Sequence, residues 1–216
     1  MMRGVPNFDR LAHAYRWLEY LSFGRSLERC RFFFLPELST VKHVLALGDG
    51  DGRFLARLLA ANSTTKAEAV DASGAMLRLL KKRAASVGCP ERLRTQHCSV
   101  QEFQPSGTKY DLVVAHFFFD CLTDRELQEL IARLSPFLTE DARWIVSEFA
   151  IPPEGWRALA ARLLIASLYA AFRWLTGLQV RKIPDYRSIL EKSGFQIART
   201  NDFLRGLLRS ELWRRV

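Results

Sequence analysis

The segment Val44-Leu45-Ala46-Leu47-Gly48-Asp49-Gly50-Asp51-Gly52-Arg53-Phe54 restricts the chain to few folds. Its apolar run has the length of a buried strand, and three alternate glycines then lead into the amphipathic stretch Phe54-Leu55-Ala56-Arg57-Leu58-Leu59. A strand, a tight glycine turn and a helix start bring backbone close to a nucleotide-like ligand. Glycine serves there because a Cβ would block both a positive-φ turn and the ligand's approach. The spacing is G-x-G-x-G, not the G-x-G-x-x-G of dinucleotide sites. Asp49 and Asp51 would repel a pyrophosphate, so a cationic ligand, such as a sulfonium carrying an ammonium group, suits this turn better.

Strand and helix patterns alternate on either side of the turn. Residues 8–38 read as helical, with Leu11, Tyr15, Leu18 and Leu21 at helical spacing, an interruption at Gly24 and a close at Pro36. Strands are expected over 41–47, 66–71, 92–98, 110–116 and 143–149. Helices are expected over 52–61, over 73–87 between Ser73 as N-cap and Gly88, and from the capping-box sequence Thr123-Asp124-Arg125-Glu126 to Pro136. This rhythm predicts an α/β fold: a Rossmann-like, doubly wound, mostly parallel seven-stranded sheet with helices on both faces. Beyond residue 150 the rhythm changes. A long helix over 156–176 and a short one over 186–192 precede two strand-like runs, 195–203 and 207–213, which should form an antiparallel hairpin at the sheet edge. The expected organisation of residues 1–216 is one domain: a helical cap at 1–38, a ligand-binding core at 41–150, an inserted helical lid at 151–193 and the hairpin at 194–216.

Composition narrows the partners. The net charge is +9, and 49% of the residues are apolar, which argues against disorder. A basic balance admits nucleic acid, anionic lipid or acidic substrates, and equally a solvated arginine-rich surface. Arg205, Arg209, Arg214 and Arg215 form the densest cationic cluster. Cys30, Cys89, Cys98 and Cys121 are scattered, with no C-x-x-C pair and no histidine at ligand spacing, so free thiols and no metal site are expected. The N-terminus lacks a signal peptide's apolar core, and the expected location is the cytoplasm. Residues 158–175 are apolar enough to suggest a membrane span, but Arg162 and Arg173 make the segment an amphipathic helix.

In an open α/β sheet, ligands bind outside the carboxyl ends of the strands. Asp71 ends the second expected strand, about twenty residues beyond the turn, where one carboxylate can accept from both ribose hydroxyls. His116 ends the fourth and is the candidate general base, with His13 a weaker one. Phe117, Phe118 and Phe119 are suited to an apolar pocket or to the core.

These residues resemble the class I S-adenosylmethionine-dependent methyltransferases. The 44–52 segment is similar to their first motif, and Val70-Asp71-Ala72-Ser73-Gly74-Ala75-Met76-Leu77 to their second. Tyr110-Asp111-Leu112-Val113-Val114-Ala115-His116 is similar to the fourth-strand motif, and Leu134-Ser135-Pro136-Phe137-Leu138 to the helix end before strand five. Within that family the leader Phe8-Asp9-Arg10-Leu11-Ala12, Tyr15, Ser22-Phe23-Gly24 and Arg29 resembles the ubiquinone/menaquinone-type C-methyltransferases, with departures at Arg16, Glu19 and Cys30. Ala46 stands where the family usually has an acid, and Ser99 where it often has an aspartate at the adenine. The resemblance implies S-adenosylmethionine as cofactor, S-adenosylhomocysteine as product, and a cofactor site of Tyr15, Gly48, Asp49, Gly50, Gly52, Asp71, Ala72, Met76, Ser99, Val100 and His116. It implies in-line methyl transfer to a small apolar or aromatic acceptor. The apolar arc of the 156–176 helix suits packing against the leader and sheet, or else a lid for a lipophilic acceptor or a peripheral membrane contact with arginine anchors. One rival is an RNA methyltransferase, motivated by the charge. Against it, Ala115-His116-Phe117-Phe118 lacks the Asn/Asp-Pro-Pro-aromatic run used on exocyclic base amines, and no Pro-Cys nucleophile is present. A non-catalytic cofactor-binding scaffold is the other, and Ala46 and Ser99 are its support.

Overall fold

A computed structural model describes residues 25–105, 107–152, 163, 167 and 183–216 of the chain. Seven strands form one sheet: β1 (His43–Leu47), β2 (Lys66–Asp71), β3 (Leu93–His97), β4 (Tyr110–His116), β5 (Leu138–Phe149), β6 (Phe195–Phe203) and β7 (Leu208–Arg215). Their order is β3-β2-β1-β4-β5-β7-β6. The first five run parallel, whereas β7 lies antiparallel between β5 and β6. The predicted mostly parallel sheet with an antiparallel C-terminal pair is the fold observed.

Side chains alternate across the central strands and divide the core in two. On one face Val44, Ala46, Val114 and Ile145 pack under Phe54, Leu55, Leu58 and Leu59 of α2 (Arg53–Ala61) and Leu77 and Leu80 of α3 (Gly74–Ser86). On the other, Leu45, Leu47, Val113, Ala115, Trp144 and Val146 pack under Leu127, Leu130, Ile131 and Leu134 of α4 (Asp124–Leu134) and Ile189 and Leu190 of α5 (Tyr186–Lys192). Each such side chain contributes about 1.5–3 kcal/mol when fully buried. Because both faces are covered, β1 and β4 read as continuous apolar runs instead of alternating ones. The helix starts are set locally. Ser73 accepts from Met76 N–H at 3.2 Å, and Thr123 and Glu126 close both halves of a capping box. Replacing such a cap by alanine costs about 1 kcal/mol.

The structure moves several expected boundaries. β5 begins at Leu138 rather than 143, since the polar stretch Thr139-Glu140-Asp141 extends the strand through an irregularity opposite Tyr110 and Leu112. Among the described residues the N-terminal segment is helical as α1 over Ser26–Phe32; a tighter turn at Leu35–Glu37, with Pro36, then plants Phe34 and Leu38 in the core. α1 packs on β6 and β7. The expected helix over 8–24, with His13 and Tyr15, lies outside the described residues. So does the 156–176 helix, apart from the helical Leu163 and Ser167. Among the described residues no helix is long and apolar enough to cross a membrane, and all four cysteines are free.

Candidate functional site

Strand order reverses between β1 and β4, and the crevice outside their carboxyl ends is where such a sheet binds ligands. The glycine turn lies there, with Gly48, Gly50 and Gly52 all at positive φ. Each glycine meets different surroundings. A Cβ on Gly52 would sit 2.7 Å from Cα and Cβ of Leu80, so this residue sets the approach of α3 to α2. One on Gly48 would meet the Phe118 ring at 3.0 Å or less. A Cβ on Gly50 would meet nothing within 4 Å among the described residues, which makes it the point of the turn open to a ligand.

The two acids also divide. Asp51 accepts from Arg53 Nε at 2.9 Å and from an Arg83 terminal nitrogen at 2.7 Å, while Arg83 Nε donates to the Asp51 carbonyl at 2.8 Å. Its charge is therefore matched inside the protein. Arg83, thirty-two positions away, gives no local signal of the pairing. Asp49 Oδ2 accepts from Leu55 N–H at 3.2 Å and so caps α2, whose N-cap is the side-chain-free Gly52. Burial pushes the Asp49 carboxyl up to about 7. A cation placed beside it would reverse that shift.

The next two strand ends extend the site. At the end of β2, Asp71 accepts from Ser73 N–H at 2.8 Å, and it lies opposite His97 of β3. Ala72 follows, with its carbonyl 3.1 Å from His97 Nε2, and Met76 is buried in the first turn of α3. Beyond β3, the Ser99 hydroxyl is spent on Glu102 at 2.9 Å, and Val100 turns into the core with Leu47 and Val70. The strand ends thus bring together the predicted groups at 48–52, 71–76 and 99–100.

At the end of β4, His116 is 4% exposed and stands edge-on to Phe54, with ring centroids 4.6 Å apart. Its Nδ1 lies 2.9 Å from the Ser147 hydroxyl, itself 3.0 Å from that of Ser210. Nε2 is buried with no hydrogen-bond partner among the described residues. Burial, reinforced by the Arg31 charge, drives its pKa well below the ordinary histidine value, so the ring is neutral.

The chain then kinks. Phe117 has a φ of 53°, and its N–H donates to the Ser147 carbonyl at 2.6 Å. The next two amides, of Phe118 and Phe119, both donate to Glu148 Oε1, at 2.9 and 2.7 Å. Phe119 is core, whereas Phe117 and Phe118 are half-buried. Phe117 packs against Phe149 and beneath the Arg31 guanidinium. Burial pushes Asp120 up to about 6, and burial together with the Asp120 charge pushes Glu148 well above the carboxylate range. Sequence reasoning passed over Glu148 and Asp120. The available signal was a carboxylate at the inner end of the apolar run Trp144-Ile145-Val146-Ser147-Glu148.

Residues 44–141, a little under half of the chain, match a family model described as a methyltransferase domain. The chain is 30% identical over 114 residues to polyamine aminopropyltransferase 2 of Bacillus anthracis, a match covering 48% of this chain and 32% of that protein. Two solved structures share the fold. The mitomycin 7-O-methyltransferase MmcR superposes with a TM-score of 0.69 at 18% identity, over 97% of this chain and 61% of its own. The S-adenosylmethionine-dependent methyltransferase SibL gives 0.68 at 19% identity, over 100% of this chain and 63% of its own. The chain therefore spans about a third of the curated relative and about three fifths of these structures.

Proposed function

We propose that this chain is an S-adenosylmethionine-dependent methyltransferase acting on a small apolar or aromatic acceptor. The observation that carries the reading is the open position at Gly50 in the turn after β1, where strand order reverses, with the carboxylate of Asp49 in the same turn and that of Asp71 at the end of the neighbouring β2. A cofactor with a cationic amino-acid end and a ribose fits that donor set, whereas a pyrophosphate does not. Asp71 is placed for the ribose hydroxyls, and Asp49 for the cationic end. When bound, the cofactor supplies an electrophilic methyl group on a sulfonium with a neutral leaving group. The protein's work is then orientation and exclusion of water. Phe117, Phe118 and Phe149 provide the apolar wall that favours an aromatic acceptor. His116 is held neutral, and its Nε2 is the atom to take a proton from an acidic acceptor. Asp120, with a pKa near 6, is the second group able to do so. The finer likeness to ubiquinone/menaquinone-type C-methyltransferases rests mostly on the leader at 8–24.

Isothermal titration with S-adenosylmethionine and S-adenosylhomocysteine tests the reading. Saturable heat with both is expected. No heat and no thermal shift at millimolar ligand would overturn it.

A further inference from the structure

Glu148 belongs to β5, yet the backbone it holds follows β4. Its side chain is wholly buried, and a single oxygen receives two successive amides, from Phe118 and Phe119. That backbone needs holding. Phe117 sits in the left-handed region, which is strained for a non-glycine residue, and such strain persists only where neighbouring contacts over-determine it. The effect of the clamp emerges across the crevice. The Phe118 ring fills the space that a Cβ on Gly48 would need, so the side chain of a clamped residue forms one wall of the glycine turn. Gly50, two residues on, stays open.

We propose that Glu148 is a positioning residue: through the Phe118 and Phe119 amides it seats the Phe118 ring on Gly48 and thereby shapes the open part of the turn at Gly50. The proposal rests on reading this turn as the cofactor site. Among the described residues Glu148 makes no hydrogen bond to the turn, and it acts there through Phe118. Burial and the Asp120 charge raise the pKa of its carboxyl well above the carboxylate range, and glutamine keeps a carbonyl acceptor for the two amides without the titrating group.

Hydrogen exchange without ligand, followed by titration with S-adenosylhomocysteine, tests the proposal. Glu148→Ala should lose protection at the Phe118 and Phe119 amides and also across residues 47–52, and should bind S-adenosylhomocysteine about tenfold more weakly or worse. Phe118→Ala should reproduce the change at 47–52. The double variant should be no worse than the more affected single one, because both act through one contact. Glu148→Gln should rescue protection at both places, and affinity with it. Should Glu148→Ala fail to fold, Glu148→Asp, whose shorter side chain retracts from the amides, takes its place. The proposal is overturned if exchange at 47–52 is unchanged when the clamp is lost, or if the two single effects add. A wild-type protein that binds no S-adenosylhomocysteine removes the methyltransferase reading, while exchange at 47–52 still decides the role of Glu148.

Discussion

Gly52→Ala should be the most damaging small substitution in the glycine turn, through stability more than ligand contact. At its φ of +78° a side chain costs about 1–2 kcal/mol in backbone strain. The new Cβ would also lie 2.7 Å from Cα and Cβ of Leu80. That is backbone of a packed helix and cannot rotate aside, so α2 and α3 must separate, at about 1–3 kcal/mol for an overpacked contact. The sum, about 2–5 kcal/mol, is a large share of the 5–15 kcal/mol typical of a folded domain. With a urea m-value of about 2–3 kcal/mol/M, the unfolding midpoint should fall by about 1–2 M. Gly50→Ala is the internal control, because its φ of +60° is strained while the added Cβ meets nothing within 4 Å among the described residues. It should cost about 1 kcal/mol of stability while weakening S-adenosylhomocysteine about tenfold or more, since its Cβ enters the open face. If Gly52→Ala leaves the midpoint in place, or Gly50→Ala lowers it as much, the division of labour among these glycines is wrong.

Three other perturbations separate the roles of the polar groups. Asp71→Ala should weaken S-adenosylhomocysteine by about 1–3 kcal/mol in a titration by leaving ribose hydroxyls unpaired; an unchanged Kd removes that assignment. His116→Gln should lower turnover about 10²–10⁴-fold with cofactor affinity retained if Nε2 accepts the proton, whereas lost affinity would make the ring a wall of the pocket. Asp49 carries a pH signature. Its folded pKa, about 7, lies above its ordinary value of 3.8, so the folded state binds the extra proton between these limits and loses stability as pH rises from about 4 to 7. Relative to wild type, Asp49→Asn should therefore gain stability across that window and gain none below pH 4. Parallel denaturation curves at pH 4 and pH 8 check this, and an equal difference at both refutes it.

What the sequence made legible was local. β2, β4, β6 and α5 match their expected limits to the residue. The capping box at Thr123 and the N-cap at Ser73 could be read for the same reason, since donor and acceptor lie three residues apart. The groups at 48–52 and 71–76 were legible because the turn and the strand end each declare themselves within a few positions. Pairings across the chain were not. The partner of Asp51, Arg83, lies thirty-two positions away, and the two amides that Glu148 holds lie thirty and twenty-nine positions before it, just past the end of β4. The start of β5 was hidden for a related reason. Thr139-Glu140-Asp141 has turn composition, and only the neighbouring strand makes it extended.

The seating of β7 between β5 and β6 has a consequence for how the molecule is made. During vectorial synthesis β5 is complete some sixty residues before the strand that will cover its free edge. Until then a long, largely apolar strand presents unpaired backbone groups, the kind of edge that recruits other chains. Ser210, which braces Ser147 and through it His116, also arrives only with β7. Nascent chains paused before residue 208 should therefore hold an unfinished site and an adhesive sheet, which makes this interval the one in which a ribosome-bound holdase would matter most.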